Sequence, residues 1–310
     1  MMLLVLGFQL MPGHSSASHI IVPTDVSQNY PRLLALESTN IPLQVTNTPR
    51  PPTQALQATT TSPATVASIT RTPLVLSHDQ QPDIIGYSVE GRPLNMYTFG
   101  YGQRQLMIVA DIHGGDEWNT LTLVNQLIKY LNQHPETVPD EVTLYILPSL
   151  NPDGEVRAHD KYGRLNHNDV DLNRNFPVNW QADWNRAGCW NYLPSSGGTG
   201  PGSEAETQAL MNFISSHNVE ALISYHSAAL GIFPGGDPSD ENSVRLAEAI
   251  AQVSNYRYPP LDTGCTYSGT LADYANSKGI AAVDLELTNH FETDFEQNLD
   301  ILNVLLKFAP

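Results

Sequence analysis

The chain has 310 residues, 41% of them hydrophobic, enough for one large core or two small ones. Its 15 Lys and Arg stand against 32 Asp and Glu, a formal charge of −17. That balance argues against binding nucleic acid or an anionic membrane, which is done through basic patches, and favours a soluble protein.

Residues 1–10 are mostly apolar, and small residues follow at Ser15, Ser16, Ala17 and Ser18. The pattern is like the apolar segment and cleavage zone of a secretory signal, although no basic segment precedes it. We read residues 1–20 as a signal segment of an exported protein; the alternative is an apolar tail without that role. The run is too short to cross a bilayer, and no later segment reads as a membrane span. Residues 21–80 form a linker, densest in Thr, Pro, Ala and Ser over 41–76, a composition that cannot bury enough apolar surface to fold. The chain's two cysteines, Cys189 and Cys265, can pair in an oxidising compartment or remain two thiols, and the spacing leaves both open.

The folded domain is expected over residues 81–310. Residues 85–94 alternate and turn like a hairpin. Residues 106–110 form an apolar run without a helical stripe, hence a buried strand, and 121–131 carry apolar residues at helical spacing. Residues 142–147 are the next strand, ended by a turn at Asn151-Pro152-Asp153-Gly154. The stretch 155–202 is a long loop, a kind that is usually functional. Ser203-Glu204-Ala205-Glu206 reads as a capping box opening a helix to about Ser216. A strand over 221–225 ends at His226, and helices follow over 243–253 and 271–278, the latter stopped by Gly279. A strand over 280–287 and a helix over 295–308 close the chain. Alternating strands and helices predict an α/β fold with a mixed, mostly parallel central sheet and helices on both faces.

Chemistry gathers at strand ends. Ile112-His113-Gly114-Gly115-Asp116-Glu117 follows the first buried strand. Imidazole nitrogen and carboxylate oxygen both suit Zn²⁺, which in catalytic sites takes three protein ligands and one open position. Asp116 and Glu117 compete for the carboxylate role; Asp116 stands where a helix N-cap belongs, so Glu117 is the preferred ligand. His226 ends another apolar strand. Asp284 and Glu286 share one face of the last strand, since side chains alternate with period two, and acids inside an apolar strand are costly unless paired or functional. Arg164 and Arg174 carry planar donor forks suited to a carboxylate or a polarised carbonyl. Tyr267 lies in a loop that offers an exposed phenol. His159, His167, His217 and His290 are read as surface or capping residues.

Together His113…Glu117-Trp118, Asn151-Pro152-Asp153-Gly154, Asp171-Leu172-Asn173-Arg174-Asn175-Phe176, Ser203-Glu204-Ala205-Glu206-Thr207, His226-Ser227 and Glu286-Leu287 resemble the zinc carboxypeptidase family, which includes pancreatic-type and murein-peptide enzymes. The resemblance covers residues from about 83 to 310. It implies one zinc ion per chain on His113, Glu117 and His226, with Glu286 as general base. It makes Arg174, helped by Asn173, the anchor of the substrate's C-terminal carboxylate. Arg164 becomes the oxyanion stabiliser and Tyr267 a mobile cover. The sequence departs in spacing: the family places its Glu three residues after the His, whereas here Glu117 comes four after. Ungapped alignment also puts Cys265 at the usual tyrosine position and Ala272 at the position that sets side-chain preference. Asp284 is then a candidate acceptor for an amino group of the substrate. The expected protein is a secreted, monomeric zinc carboxypeptidase acting on peptides with a free C-terminus; alternatives are a murein-peptide peptidase or an N-acyl amino acid deacylase.

Overall fold

The computed structural model describes residues 81–183 and 196–310, all within the unit Arg71–Pro310. The signal and linker readings of residues 1–20 and 21–80, and Cys189, lie outside the described residues. Cys265 is disulfide-bonded.

The sheet has seven strands in the order β1-β2-β4-β3-β5-β7-β6. They are β1 (Asp83–Tyr87), β2 (Pro93–Gly100), β3 (Arg104–Val109), β4 (Val142–Leu147), β5 (Val219–Ser227), β6 (Ile232–Pro234) and β7 (Ala281–Leu287). The central strands β4, β3, β5 and β7 run parallel, and β2 and β6 flank them antiparallel. The expected hairpin is the antiparallel β1–β2 pair. Successive side chains of a strand point to opposite faces, and each face has its own core. Leu106 and Ile108 of β3 pack with α1 (Trp118–Gln133), α4 (Glu241–Val253) and α6 (Phe295–Lys307). Met107 and Val109 pack on the other side with α3 (Ala205–Ser216) and α5 (Leu271–Ser277). The mixed sheet with helices on both faces is the fold expected from the sequence.

Local readings needed correction at three places. Asn151-Pro152-Asp153-Gly154 is the start of a helix, α2 (Pro152–Arg157), in which the Asn151 side chain accepts from Gly154 N–H at 2.9 Å and proline takes the first turn. Proline is tolerated there because its missing N–H would have no intrahelical partner. The capping box at Ser203 does not form. Glu204 holds the cap position of α3 without a side-chain cap bond, and Glu206 accepts instead from Val89 N–H at 3.1 Å. Tertiary partners for both carboxylates displace the local motif. The short strand β6 was not foreseen.

Candidate metal centre and active site

The site lies at the carboxyl ends of the parallel strands, where open α/β sheets place ligands. After β3 the chain makes a 3-10 turn, Gly114–Glu117, that leads directly into α1. Gly114 takes φ +49°, and a Cβ on Gly115 would stand 1.8 Å from the Ala158 carbonyl oxygen. A side chain at either position is disfavoured, so the turn between His113 and Glu117 is built on glycine. Glu117, not Asp116, occupies the N-cap position of α1, and no side-chain bond closes it.

Three side chains converge. His113 Nδ1 lies 2.7 Å from Glu117 Oε1, and His226 Nδ1 lies 3.1 Å from Glu117 Oε2. The two Nδ1 atoms are 3.2 Å apart. All three residues are buried. Zinc–ligand bonds of about 2.0–2.1 Å in a tetrahedron separate neighbouring donors by about 3.3 Å, so this donor set fits one zinc ion. Asp116 is not part of this donor set; its Oδ2 lies 3.7 Å from Arg164 Nη1.

Neighbouring carboxylates orient the donors. His113 Nε2 is 3.2 Å from Asp171 Oδ1 and 2.9 Å from Arg164 Nη2, so both groups hold the ring in place. Asp171 Oδ2 accepts from Arg164 Nε at 3.1 Å, and Arg164 Nη1 reaches Glu117 Oε1 at 3.3 Å. Asp171 is fully buried. Burial works against its charge, but Arg164, then His113 and Arg174, outweigh it and hold the carboxyl well below its usual range. Burial also opposes ionisation of Glu117, yet His113 and His226 hold it well below the ordinary value. His226 is disfavoured as a cation by burial, but Asp284 and Glu117 raise it to about 10.

Parallel register brings in the base. His226 of β5 pairs with Glu286 of β7, and Ser224 with Asp284, so both acids face the same side as His226. Burial, then the charge of Glu117, pushes the Glu286 carboxyl up to about 8 against the pull of His226 and Arg164. Its Oε2 is buried and accepts no hydrogen bond. Asn173 and Arg174 sit in a 3-10 turn, Leu172–Arg174, capped by Asp171. Asn173 Oδ1 accepts from Leu271 N–H at 2.8 Å, and its Nδ2 lies 3.4 Å from both His226 Nε2 and Asp284 Oδ2. The Arg174 guanidinium lies 5.1 Å from the centre of the Tyr267 ring. Tyr267 is half-buried rather than exposed, its hydroxyl 3.0 Å from Thr263 Oγ1.

All eight residues expected at the site therefore line one cavity of about 560 Å³. The cavity is also lined by His290, whose Nδ1 is 3.2 Å from Ser227 Oγ. That residue was read as bland; it follows β7 in a polar loop and carries no local sign of its place. His159 is a surface residue that pairs with Glu155 at 2.8 Å and stacks on Trp118.

This is a site able to hold a single metal ion at the edge of an α/β sheet. The zinc carboxypeptidase family model matches residues 77–297, and the chain belongs to that family. Mast cell carboxypeptidase A of Rattus norvegicus is 29% identical over 232 residues, 63% of this chain and 55% of that protein. The catalytic chain of Homo sapiens carboxypeptidase N is 29% identical over 273 residues, 73% of this chain and 58% of that one. The chain thus spans less than two thirds of the length of these curated relatives. Among solved structures, murein-tripeptide amidase of Escherichia coli O157 superposes with a TM-score of 0.55 at 25% identity, covering 79% of this chain and 99% of its own. Thrombin activatable fibrinolysis inhibitor shares the fold, with a TM-score of 0.60 at 22% identity over 73% of this chain and 68% of its own.

Proposed function

We propose that the chain is a secreted zinc metallocarboxypeptidase that removes C-terminal residues from peptides. The observation that carries this reading is the convergence of His113 Nδ1, His226 Nδ1 and the Glu117 carboxylate beside a buried, unpartnered Glu286 oxygen. Zinc bound by His113, Glu117 and His226 supplies a Lewis acid and a water made acidic near neutral pH. Glu286 takes a proton from the attacking water and returns it to the leaving amine. Arg164, held in place by Asp171, donates to the oxygen that gains charge. Arg174 clamps the terminal carboxylate with Asn173 beside it, which restricts cleavage to the last bond by fixing its distance from the base. Tyr267 covers the bound residue. Export rests on the pattern of residues 1–20. Among the described residues no helix is long and apolar enough to cross a membrane.

A second reading, hydrolysis of murein peptides, is favoured by the murein-tripeptide amidase that this chain covers over 99% of its length. One assay tests both. The zinc-loaded protein is offered peptides with free C-termini, the same peptides amidated, and murein tripeptide, each with and without a chelator. Release of C-terminal residues from the free peptides alone, abolished by the chelator, is expected. Cleavage restricted to murein tripeptide shifts the assignment to the second reading, and equal cleavage of amidated peptides removes Arg174 as anchor.

A further inference from the structure

We infer that His290 accepts, through Nε2 of its neutral ring, an amide N–H of the substrate upstream of the scissile bond. The site is then built for tripeptides, N-acylated dipeptides and longer chains rather than for simple N-acyl amino acids. This rests on the carboxypeptidase reading and deepens it.

The hydrogen bonds around His290 fix which of its nitrogens holds the proton. Asn119, fully buried in the first turn of α1, points its side-chain nitrogen at two carbonyl oxygens of the loop after β7, Asn289 O at 2.7 Å and Glu292 O at 2.8 Å. The opposite amide orientation would set an oxygen against both carbonyls, so Nδ2 is held there and Oδ1 is left to accept. It accepts from Ser227 Oγ at 2.9 Å. That bond uses the single hydroxyl proton of Ser227. Toward His290 Nδ1, 3.2 Å away, Ser227 Oγ can therefore only accept. Nδ1 of His290 carries the proton, and Nε2 of the neutral ring carries a lone pair. Among the described residues Nε2 has no hydrogen-bond partner, while His290 is exposed and lines the cavity.

The acceptor is anchored on the upstream side of the metal-binding residues. Asn289 Oδ1 accepts from Phe291 N–H at 2.8 Å and Glu292 N–H at 2.7 Å, and Thr288 N–H donates to Asp294 Oδ2 at 2.9 Å, so the loop that carries His290 has a set shape. Ser227 N–H donates to Glu117 Oε2 at 3.2 Å, which ties that loop to the donor set. His226 meets Glu117 through Nδ1, and the turn that carries Arg174 through Nε2, 3.4 Å from Asn173 Nδ2. Arg174 and His290 thus approach the donor set from opposite edges of the His226 ring. A peptide with its terminal carboxylate on Arg174 and its scissile carbonyl at the metal runs on past Glu117, the side to which His290 is tied. The polar groups an extended peptide repeats there are its amides, and a bare ring nitrogen matches their N–H.

The test removes that N–H from the substrate. N-acetylated Ala-Ala peptides ending in Leu, Lys or Glu are compared with analogues in which lactate replaces each alanine in turn, so that one upstream amide becomes an ester without a proton to donate. The zinc-loaded wild type is expected to lose roughly 3–10-fold in kcat/KM at one of the two positions. His290→Phe keeps a ring without the acceptor and should treat amide and ester alike, so that the two losses do not add. The comparison is internal to each protein and does not depend on how much of it folds. An ester penalty of the same size in His290→Phe gives the N–H another partner and overturns the inference, as does a wild type indifferent to both esters. A variant that loses activity equally on amide and ester peptides makes His290 a structural support for Ser227 and also overturns it. Should the wild type cleave none of these peptides, the catalytic reading fails, and calorimetry on the same zinc-loaded proteins still decides the contact. Tighter binding of an amide than of its ester by the wild type, lost in His290→Phe, supports the acceptor; equal binding, or none, overturns it.

Discussion

Replacing Glu117 by Gln removes the only anionic donor of the converging set while keeping its shape. In the structure its carboxylate lies within 3.3 Å of His113 Nδ1, His226 Nδ1, Ser227 N and Arg164 Nη1. Removing one partner of a buried charge cluster costs about 3–5 kcal/mol, or roughly two to three and a half decades in an equilibrium constant. Zinc affinity, read by competition with a chromogenic chelator, should fall by about that factor. The metal-free protein should also melt lower by roughly 6–20 °C, at about 2–4 °C per kcal/mol for a domain of this size. Asp116→Asn is the control. Its Oδ2 is 3.7 Å from Arg164 Nη1, and it does not belong to the converging set. If Asp116→Asn loses zinc as severely as Glu117→Gln, Asp116 is the ligand and the reading of the turn is wrong.

Three further outcomes follow from the same geometry. His226, raised to about 10 when no metal is bound, is protonated at pH 7 and must release that proton to ligate; its charge stabilises the metal-free fold below its ordinary value of 6.5 and is lost as pH rises through about 10. Zinc titrations in buffers of different ionisation heat should therefore give observed heats that vary with the buffer, and observed heats independent of buffer would contradict it. Asp171→Asn removes the negative charge that Arg164 and His113 Nε2 face, and is expected to lower zinc affinity about 10–100-fold. The depressed wild-type Asp171 carboxyl stabilises the fold above its unfolded value and loses that contribution as pH falls through its folded value, so the variant's melting temperature should depend less on acid; an unchanged acid limb would sink the assignment. Gly115→Ala places a Cβ 1.8 Å from a backbone carbonyl, which neither side can yield cheaply, and should weaken zinc binding by displacing the turn; wild-type affinity would show that the turn does not set the site.

Much of this was legible because burial writes itself into sequence. Residues 142–147 are apolar but for Thr143, are buried throughout, and form β4 with those same bounds. His113, His226 and Glu286 stood out as polar residues in or ending apolar strands. The failures share a cause. Asn151-Pro152-Asp153-Gly154 has turn chemistry, but the same residues also start a helix, and only packing decides. Ser203 and Glu206 match a capping box, yet Glu206 finds Val89 N–H, 117 residues away. Asp171 stands two residues before the Asn-Arg-Asn stretch, but its pairing with His113 spans a long loop and leaves no periodic trace. His290 reaches the cavity only because a loop after β7 folds over Ser227.

The central claim is that one zinc ion sits on His113, Glu117 and His226. Anomalous diffraction at the zinc edge from crystals of the zinc-loaded protein tests it most directly. A single peak about 2.0–2.2 Å from His113 Nδ1, His226 Nδ1 and a Glu117 oxygen is the predicted result. A peak ligated by Asp116 instead, or no peak among these residues, would contradict it.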